Sequence, residues 1–364
     1  MKNIDYENLY HLNKPYLEQY KQSFSEVLNS GWFILGKKVE AFEKEFAAYL
    51  KAPEFIGLAS GLDALELPLI AMDFPEPSEV IVPSNTYIAT INAIINTGHT
   101  PVFVEPDMLT YNIDPKKIEE KITSKTKAIM IVHLYGKPCE IDEIMALCKK
   151  HDLKLIEDCA QSHGAMYKEK MTGTFGQVGA FSFYPTKNLG ALGDAGAIIC
   201  KDEHFYQKLK ALRNYGSEKK YYNQLVGRNC RLDELQASFL NVKLPFLEKM
   251  NLHKIALADR YNQLLNNKIQ KPLFFDNGSH VYHIYNILVE NRDDFQKYLK
   301  EKGVETLIHY PVAPHLQEGY QQFFKHEKYP ITEKIHAKTL SLPISFATTF
   351  AEVEEICSKI NDFQ

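Results

Sequence analysis

Paired cysteines, long apolar runs and an excess of positive charge are all missing from this sequence, and each absence removes a class of function. The six cysteines (Cys139, Cys148, Cys159, Cys200, Cys230 and Cys357) are scattered with no C-x-x-C pair. Neither a zinc cluster nor a disulfide framework is suggested, and reduced thiols in a cytoplasm fit the pattern. No stretch approaches the roughly 18 uninterrupted apolar residues of a membrane span, and the first residues are acidic and polar where an export signal is basic and then apolar. A cytoplasmic protein without membrane association is expected. Lys plus Arg number 42 against 46 Asp plus Glu, which leaves no global positive field for nucleic acid. Any anionic ligand must be held by local groups.

What is present is apolar mass. At 364 residues, 45% hydrophobic and 12% aromatic, the chain exceeds the ~100–200 residues of one compact domain. A chain of that size buries roughly three quarters of the surface its unfolded form exposes. Short apolar runs alternate with helical patterns from about Pro53 to Cys200, predicting strands at Glu54 to Leu58, Glu79 to Val82, Pro101 to Val104, Ala128 to Val132, Leu153 to Ile156, Ala180 to Phe183 and Ala197 to Cys200. This is α/β grammar, and the nearly continuous apolar character of the strands predicts a mainly parallel sheet covered on both faces. After Arg231 a long helical stretch begins, with Leu232, Leu235, Phe239, Val242 and Phe246 on one face and Pro245 as an interruption. Three parts are expected: an N-terminal segment over 1–30, with a helix from Tyr16 to Leu28, packing on the core; a large domain over 31–245; and a smaller α+β C-terminal domain over 246–364.

Two glycine-rich candidates for a phosphate loop fail. Gly31 to Lys38 has the G-x-x-x-x-G-K spacing, but Lys38 stands where Ser or Thr should meet magnesium, and no strand precedes it. Gly190, Gly193 and Gly196 lack the dinucleotide spacing and lead into a strand. Ser60, Gly61 and Leu62 are better placed, between a strand and a helix whose free N–H groups attract anions; the bland alternative is that Ser60 is an ordinary N-cap. The strand Leu153 to Ile156 runs into Glu157 and Asp158, at the strand end where open α/β sheets bind ligands. Asp158 suits a metal, a ribose hydroxyl or a protonated ring nitrogen there, unless it only caps its turn. Lys187 follows an apolar strand within a Pro/Thr/Asn/Gly turn, with Ser182 five residues earlier and small residues after it. A desolvated lysine of lowered pKa forms a Schiff base with an aldehyde. An anion pocket, a partner for a pyridine nitrogen and a covalent anchor together make the minimum set for pyridoxal phosphate.

These residues resemble the DegT and StrS family of vitamin B6-dependent nucleotide-sugar aminotransferases. The resemblance runs from Gly31–Gly36 through Ser60–Leu65, Glu157–Gly164, Phe181–Gly190, Arg213–Gly216 and Asn229–Gln236 to His309–Pro311, and it is similar above all to members that act on dTDP-3-keto-6-deoxyhexoses. It implies the aspartate-aminotransferase-like fold (fold type I), with a mainly parallel large domain and a smaller α+β domain. It also implies pyridoxal 5'-phosphate as a Schiff base on Lys187, which shuttles the proton, with pyridoxamine phosphate as the intermediate form and no metal. Asp158 would pair with the ring nitrogen and Gln161 with the ring hydroxyl. Ser182, Ser60 and the N–H groups of Gly61 and Leu62 would hold the phosphate. Many relatives have Thr where Leu62 stands, so a side-chain contact is lost there. Tyr87 would stack on the cofactor, and Asn229 would reach the phosphate from a partner subunit, implying a homodimer with shared sites. Tyr184, His309 and Tyr310 are implied sugar contacts, Trp32 and Lys219 lie near the nucleotide, and Arg228 lies near its diphosphate. L-glutamate is the implied amino donor and a surface glycan the usual destination of the sugar. A 4-keto-sugar aminotransferase and a non-catalytic, cofactor-binding regulator are the alternatives. His280, His283 and His315 have no fixed ligand spacing and read as ordinary strand and loop histidines.

Overall fold

A strand stands at each of the seven apolar runs, and one shared edge of the sheet collects the chemistry. The computed structural model describes residues 3–219, 221–273, 279–324 and 327–363. Among these the strands are β1 (Glu54–Leu58), β2 (Glu79–Pro83), β3 (Thr100–Val104), β4 (Thr126–Val132), β5 (Lys154–Asp158), β6 (Met166–Tyr167), β7 (Lys170–Met171), β8 (Val178–Ser182), β9 (Gly196–Cys200), β10 (Ser217–Lys219), β11 (Tyr222–Asn223), β12 (Tyr285–Leu288) and β13 (Thr339–Leu342). The helices are α1 (Leu9–Asn13), α2 (Leu17–Ser30), α3 (Lys37–Leu50), α4 (Gly61–Ala71), α5 (Ile88–Asn96), α6 (Ile141–His151), α7 (Glu203–Leu212), α8 (Glu234–Lys243), α9 (Leu247–Leu264), α10 (Arg292–Glu301), α11 (Pro330–Lys338) and α12 (Phe350–Asn361). None of them is long and apolar enough to cross a membrane among the described residues.

The central sheet has seven strands in the order β1-β9-β8-β5-β4-β2-β3. The pairs β2/β3, β2/β4, β4/β5 and β5/β8 are parallel, whereas β9 runs antiparallel to both its neighbours, β1 and β8. Six strands therefore point one way, and the C-terminal ends of β1, β2, β4, β5 and β8 open onto one edge. The fold is α/β, with the mainly parallel sheet that the continuous apolar runs predict. One face is covered by α4 and α5, through Leu65, Leu67, Leu69, Ile91 and Ile94 against Ile56, Val80, Met130 and Ile198.

A cluster of aromatic rings fixes α3 on the β1/β8/β9 end of the sheet. Phe42 and Phe46 meet Phe183 edge to face at 5.2 and 5.4 Å, and Phe46 meets Phe181 at 5.4 Å. All four rings are buried; burial stabilises by roughly 1.5–3 kcal/mol per side chain of this size, and it locks the strand that leads to Lys187. Pro245 acts as expected, because it cannot donate within a helix: α8 stops, a 3-10 turn spans Leu244–Phe246, and α9 starts at Leu247.

Beyond α9, β12 and β13 pair antiparallel, Tyr285 opposite Leu342. Leu257 and Tyr261 of α9, Phe295 and Leu299 of α10, and Val353, Ile356 and Ile360 of α12 pack with them in a separate core. Ile4 belongs to that core and bridges Val304, while α2 lies on α8, with Tyr20 edge-on to Phe239 at 5.3 Å.

Candidate active site

The chain leaves β1 at Leu58 and turns through Ser60 into α4. Ser60 is the N-cap: its Oγ accepts from Asp63 N–H at 3.1 Å and donates to Asp63 Oδ2 at 2.6 Å. The capping alternative thus describes the Ser60 side chain. It leaves the N–H groups of Gly61 and Leu62, which as the first amides of the helix have no intrahelical acceptor. The wall around them is tight. A Cβ on residue 61 would lie 2.5 Å from Ser182 Cβ, and one on residue 196 would lie 2.1 Å from Ser60 O. Only glycine at both positions lets the ends of β8 and β9 close on this turn.

At the end of β5, alternation along the strand separates the two carboxylates. Glu157 faces away: it accepts N–H bonds from Gly173, Phe175 and Gly176 at 2.7–2.8 Å and a contact with His133 Nε2 at 3.0 Å. Cys139 N–H donates to His133 Nδ1 at 3.1 Å, so the imidazole proton stands on Nε2 and is directed at Glu157. Asp158 is buried and faces the site. Its Oδ1 accepts from Ala160 N–H at 3.0 Å, the turn-capping bond, and its Oδ2 accepts from the Thr90 hydroxyl at 2.9 Å. Burial pushes its carboxyl up, opposed by those two bonds and by the charge of Lys187.

Lys187 lies in the turn after β8, with its N–H on Tyr184 O at 2.8 Å. Part of the residue is exposed, yet loss of water around its Nζ dominates and brings its pKa down to about 8, with Asp158 and then Glu7 pulling it up. The amine is therefore partly free near neutral pH, the condition for nucleophilic chemistry.

Gln161 is held at both ends of its amide. Oε1 accepts from Tyr135 N–H at 2.5 Å, and Nε2 donates to Tyr310 Oη at 3.0 Å. The Tyr310 ring meets that of Tyr87 at 5.2 Å, and Tyr87 is exposed at the start of α5. His309 contacts Ser341 Oγ through Nδ1 at 2.8 Å; burial, with Lys187 nearby, lowers its pKa to about 4, so it is neutral at physiological pH. Lys187, Asp158, Gln161, Tyr87, His309 and Tyr310 are thus brought to one edge of the sheet, beside Ser60, Gly61, Leu62 and Ser182.

The remaining expected residues lie on the rim. Tyr184 is exposed two residues beyond β8. Asn229 is exposed and bridges Asn214, in a segment whose Cys230 O accepts from Ala59 N–H at 2.9 Å. Trp32 is exposed, its Nε1 bonded to Ile34 O at 2.7 Å. Lys219 sits on the β10/β11 hairpin with its Nζ 4.9 Å from the Tyr222 ring centroid. Arg228 is paired with the buried carboxylate of Glu66.

Sequence reasoning missed four participants. Thr90 lies one turn past Tyr87 in α5, and only its spacing on the helix hinted at it. Glu7 comes from 180 positions upstream of Lys187 and His283 from nearly 100 downstream, while Lys254 touches the Lys187 turn from α9; no local pattern signals any of these.

Chemically, the arrangement offers an amine of lowered pKa, a buried carboxylate that can accept from a protonated ring nitrogen, and helix-start N–H groups without an intrahelical acceptor for an anion. Residues 16–361 match the model of the DegT/DnrJ/EryC1/StrS aminotransferase family. The dTDP-3-amino-3,6-dideoxy-alpha-D-galactopyranose transaminase of Aneurinibacillus thermoaerophilus is 50% identical over 361 residues, covering 99% of each chain. Among solved structures, S. venezuelae DesV in complex with a ketimine intermediate superposes with a TM-score of 0.97 at 37% identity, covering 100% of this chain and 98% of that one. The ntda protein from Bacillus subtilis with bound cofactor PMP gives 0.94 at 31%, covering 100% of this chain and 86% of that one.

Proposed function

The chain belongs to the DegT/DnrJ/EryC1/StrS aminotransferase family, and from that premise we propose that it converts a dTDP-3-keto-6-deoxyhexose to the dTDP-3-amino-3,6-dideoxyhexose, with L-glutamate as amino donor. It is a transaminase of a family that depends on pyridoxal phosphate. The observation that carries the sugar assignment is the full-length similarity to a transaminase named for that product class.

The residues fit the cofactor. The N–H groups of Gly61 and Leu62, at the open start of α4 and walled by Ser182, would hold the phosphate, with the hydroxyls of Ser182 and Ser60 beside them. Asn229, exposed in the single chain, would reach the phosphate of a second copy, with a homodimer as the working unit. Asp158 would accept from the ring nitrogen, and its bond from Thr90 fixes the carboxylate orientation. Gln161 has a second N–H on Nε2 for the ring hydroxyl, because Tyr310 uses only one. Tyr87 covers the ring. When bound, pyridoxal phosphate supplies an electron sink and carries the amino group from donor to acceptor.

Lys187 would be the covalent anchor through Nζ, and as an amine of lowered pKa it is the group placed to take a proton from the substrate carbon and to return it. His309, kept neutral by burial, would orient the ketosugar by hydrogen bonding together with Tyr310 and Tyr184, while Trp32, Lys219 and Arg228 are assigned to its nucleotide and diphosphate. Incubation with the 3-keto sugar nucleotide and L-glutamate tests the proposal. NMR should place the new amine on C3; amination of a 4-keto sugar in its stead would reassign the substrate, and turnover of neither would favour a cofactor-binding regulator.

A further inference from the structure

Beneath Lys187 lies a second group of charges that the reaction described above does not use. Lys254 Nζ of α9 donates to Asn188 Oδ1 at 3.1 Å and to His283 O at 3.0 Å, and Lys243 Nζ of α8 donates to Gly190 O at 3.2 Å. Both side chains are buried. Two ammonium groups thus clamp the turn on the residues that follow Lys187. Burial lowers the pKa of each, with Glu7 pulling both up.

Glu7, which lines a small cavity beside Thr186 and His283, is the carboxylate whose charge acts on all three lysines. Burial raises its pKa, and the charges of Lys254, Lys243 and Lys187 oppose that rise in that order. Its position is fixed on both sides. Ile4 N–H donates to Gly303 O at 2.8 Å and Glu305 N–H to Ile4 O at 3.0 Å, while Asn8 caps α1 by accepting from His11 N–H at 3.1 Å. Between those points Glu7 lines a cavity of about 70 Å3 with Tyr6, Thr186, His283 and His309, large enough for water, which needs only about 10–15 Å3 measured the same way. Among the described residues, the titratable groups around Glu7 are Tyr6 on its own segment, His283 and His309 across the cavity, and Lys187 after β8, Lys243 and Lys254, whose charges act on it. Among the described residues, Asp158 is the other carboxylate whose charge acts on Lys187.

We propose that Glu7 is a positioning residue for Lys187: with Asp158 on one side, it supplies from the N-terminal segment the second negative charge that holds the Lys187 ammonium, and it balances the two lysines that clamp the turn. The chemical meaning of this role rests on Lys187 being the anchor, but its test does not.

The test is competitive acetylation of the full-length, cofactor-free chain across pH, with mass-spectrometric quantification of the peptide carrying Lys187. The wild-type midpoint should lie near 8. Glu7→Gln removes the charge and keeps the shape, so the midpoint should fall by roughly one pH unit, and acetylation at pH 7.5 should quicken several-fold. Glu7→Asp keeps the charge and should restore most of the wild-type midpoint. Near-ultraviolet circular dichroism checks that each variant is folded. An unmoved midpoint in a folded Glu7→Gln chain overturns the proposal and leaves Glu7 as a structural partner of Lys254, as would an equal fall in both variants. Borohydride fixation of the cofactor to wild-type Lys187, measured separately, tells failure of the anchor reading from failure of this one.

Discussion

Two helices of this protein begin at a glycine where the sequence invites a phosphate, and they have opposite fates. At the start of α3, the N–H groups of Gly36, Lys38 and Val39 all donate to the carboxylate of Glu234, at 2.8, 3.0 and 2.9 Å. The chain has supplied its own anion, and the helix dipole is satisfied from within. At the start of α4, Ser60 caps one N–H, and the amides of Gly61 and Leu62, walled by Ser182, are left without an intrahelical acceptor. A helix start is therefore available to a ligand only where the fold withholds an internal carboxylate. That choice is made by a residue almost 200 positions away.

The comparison can be broken from either end, and the largest effect should come from the closed start. Glu234→Ala leaves three amides without their acceptor and should cost about 3 kcal/mol of stability, read as a fall in the denaturant midpoint, while cofactor affinity changes by less than about threefold. Loss of cofactor affinity with unchanged stability would reverse the roles assigned to the two helices. At the open start, Gly61→Ala places a methyl 2.5 Å from Ser182 Cβ. One of the two must move, and the dissociation constant for pyridoxal phosphate should rise about tenfold or more, roughly 1.4 kcal/mol, as measured by equilibrium titration. The smallest effect belongs to Ser60→Ala, which removes a cap worth about 1 kcal/mol. Thermal unfolding should register it, with cofactor affinity down by only a few-fold because the backbone donors remain.

The same contrast explains what could be read in the sequence. The strands were legible because buried parallel strands are continuous apolar runs, and observed β1 spans the same Glu54–Leu58 as the expectation. The other strands differ by one to three residues at their ends, where pairing with a neighbour rather than apolar content decides the boundary; β5 runs on through Glu157 and Asp158 because both stay paired with β4. Lys187 and Asp158 were legible as candidates because each lies in a short segment of unusual chemistry next to a strand, whereas Gln161 came only with the family resemblance. Lys38 was reason enough to reject the loop from Gly31, yet the physical ground for the rejection, Glu234, could not be seen without the fold. Glu7, Lys254 and His283 were illegible for the same reason, since each reaches the site from a distant element and carries no local mark, while Thr90 had only its helical spacing from Tyr87.

The most direct test of the central claim, that Lys187, Asp158 and the open start of α4 together hold pyridoxal phosphate for amino transfer, is the visible spectrum of the purified protein with the cofactor added, before and after L-glutamate. A violet-absorbing band that forms on addition of the cofactor, disappears with L-glutamate in favour of a shorter-wavelength form, and is absent in Lys187→Ala is the expected result. A protein that forms no such band, or a Lys187→Ala variant that forms it undiminished and is fixed by borohydride, would contradict the account.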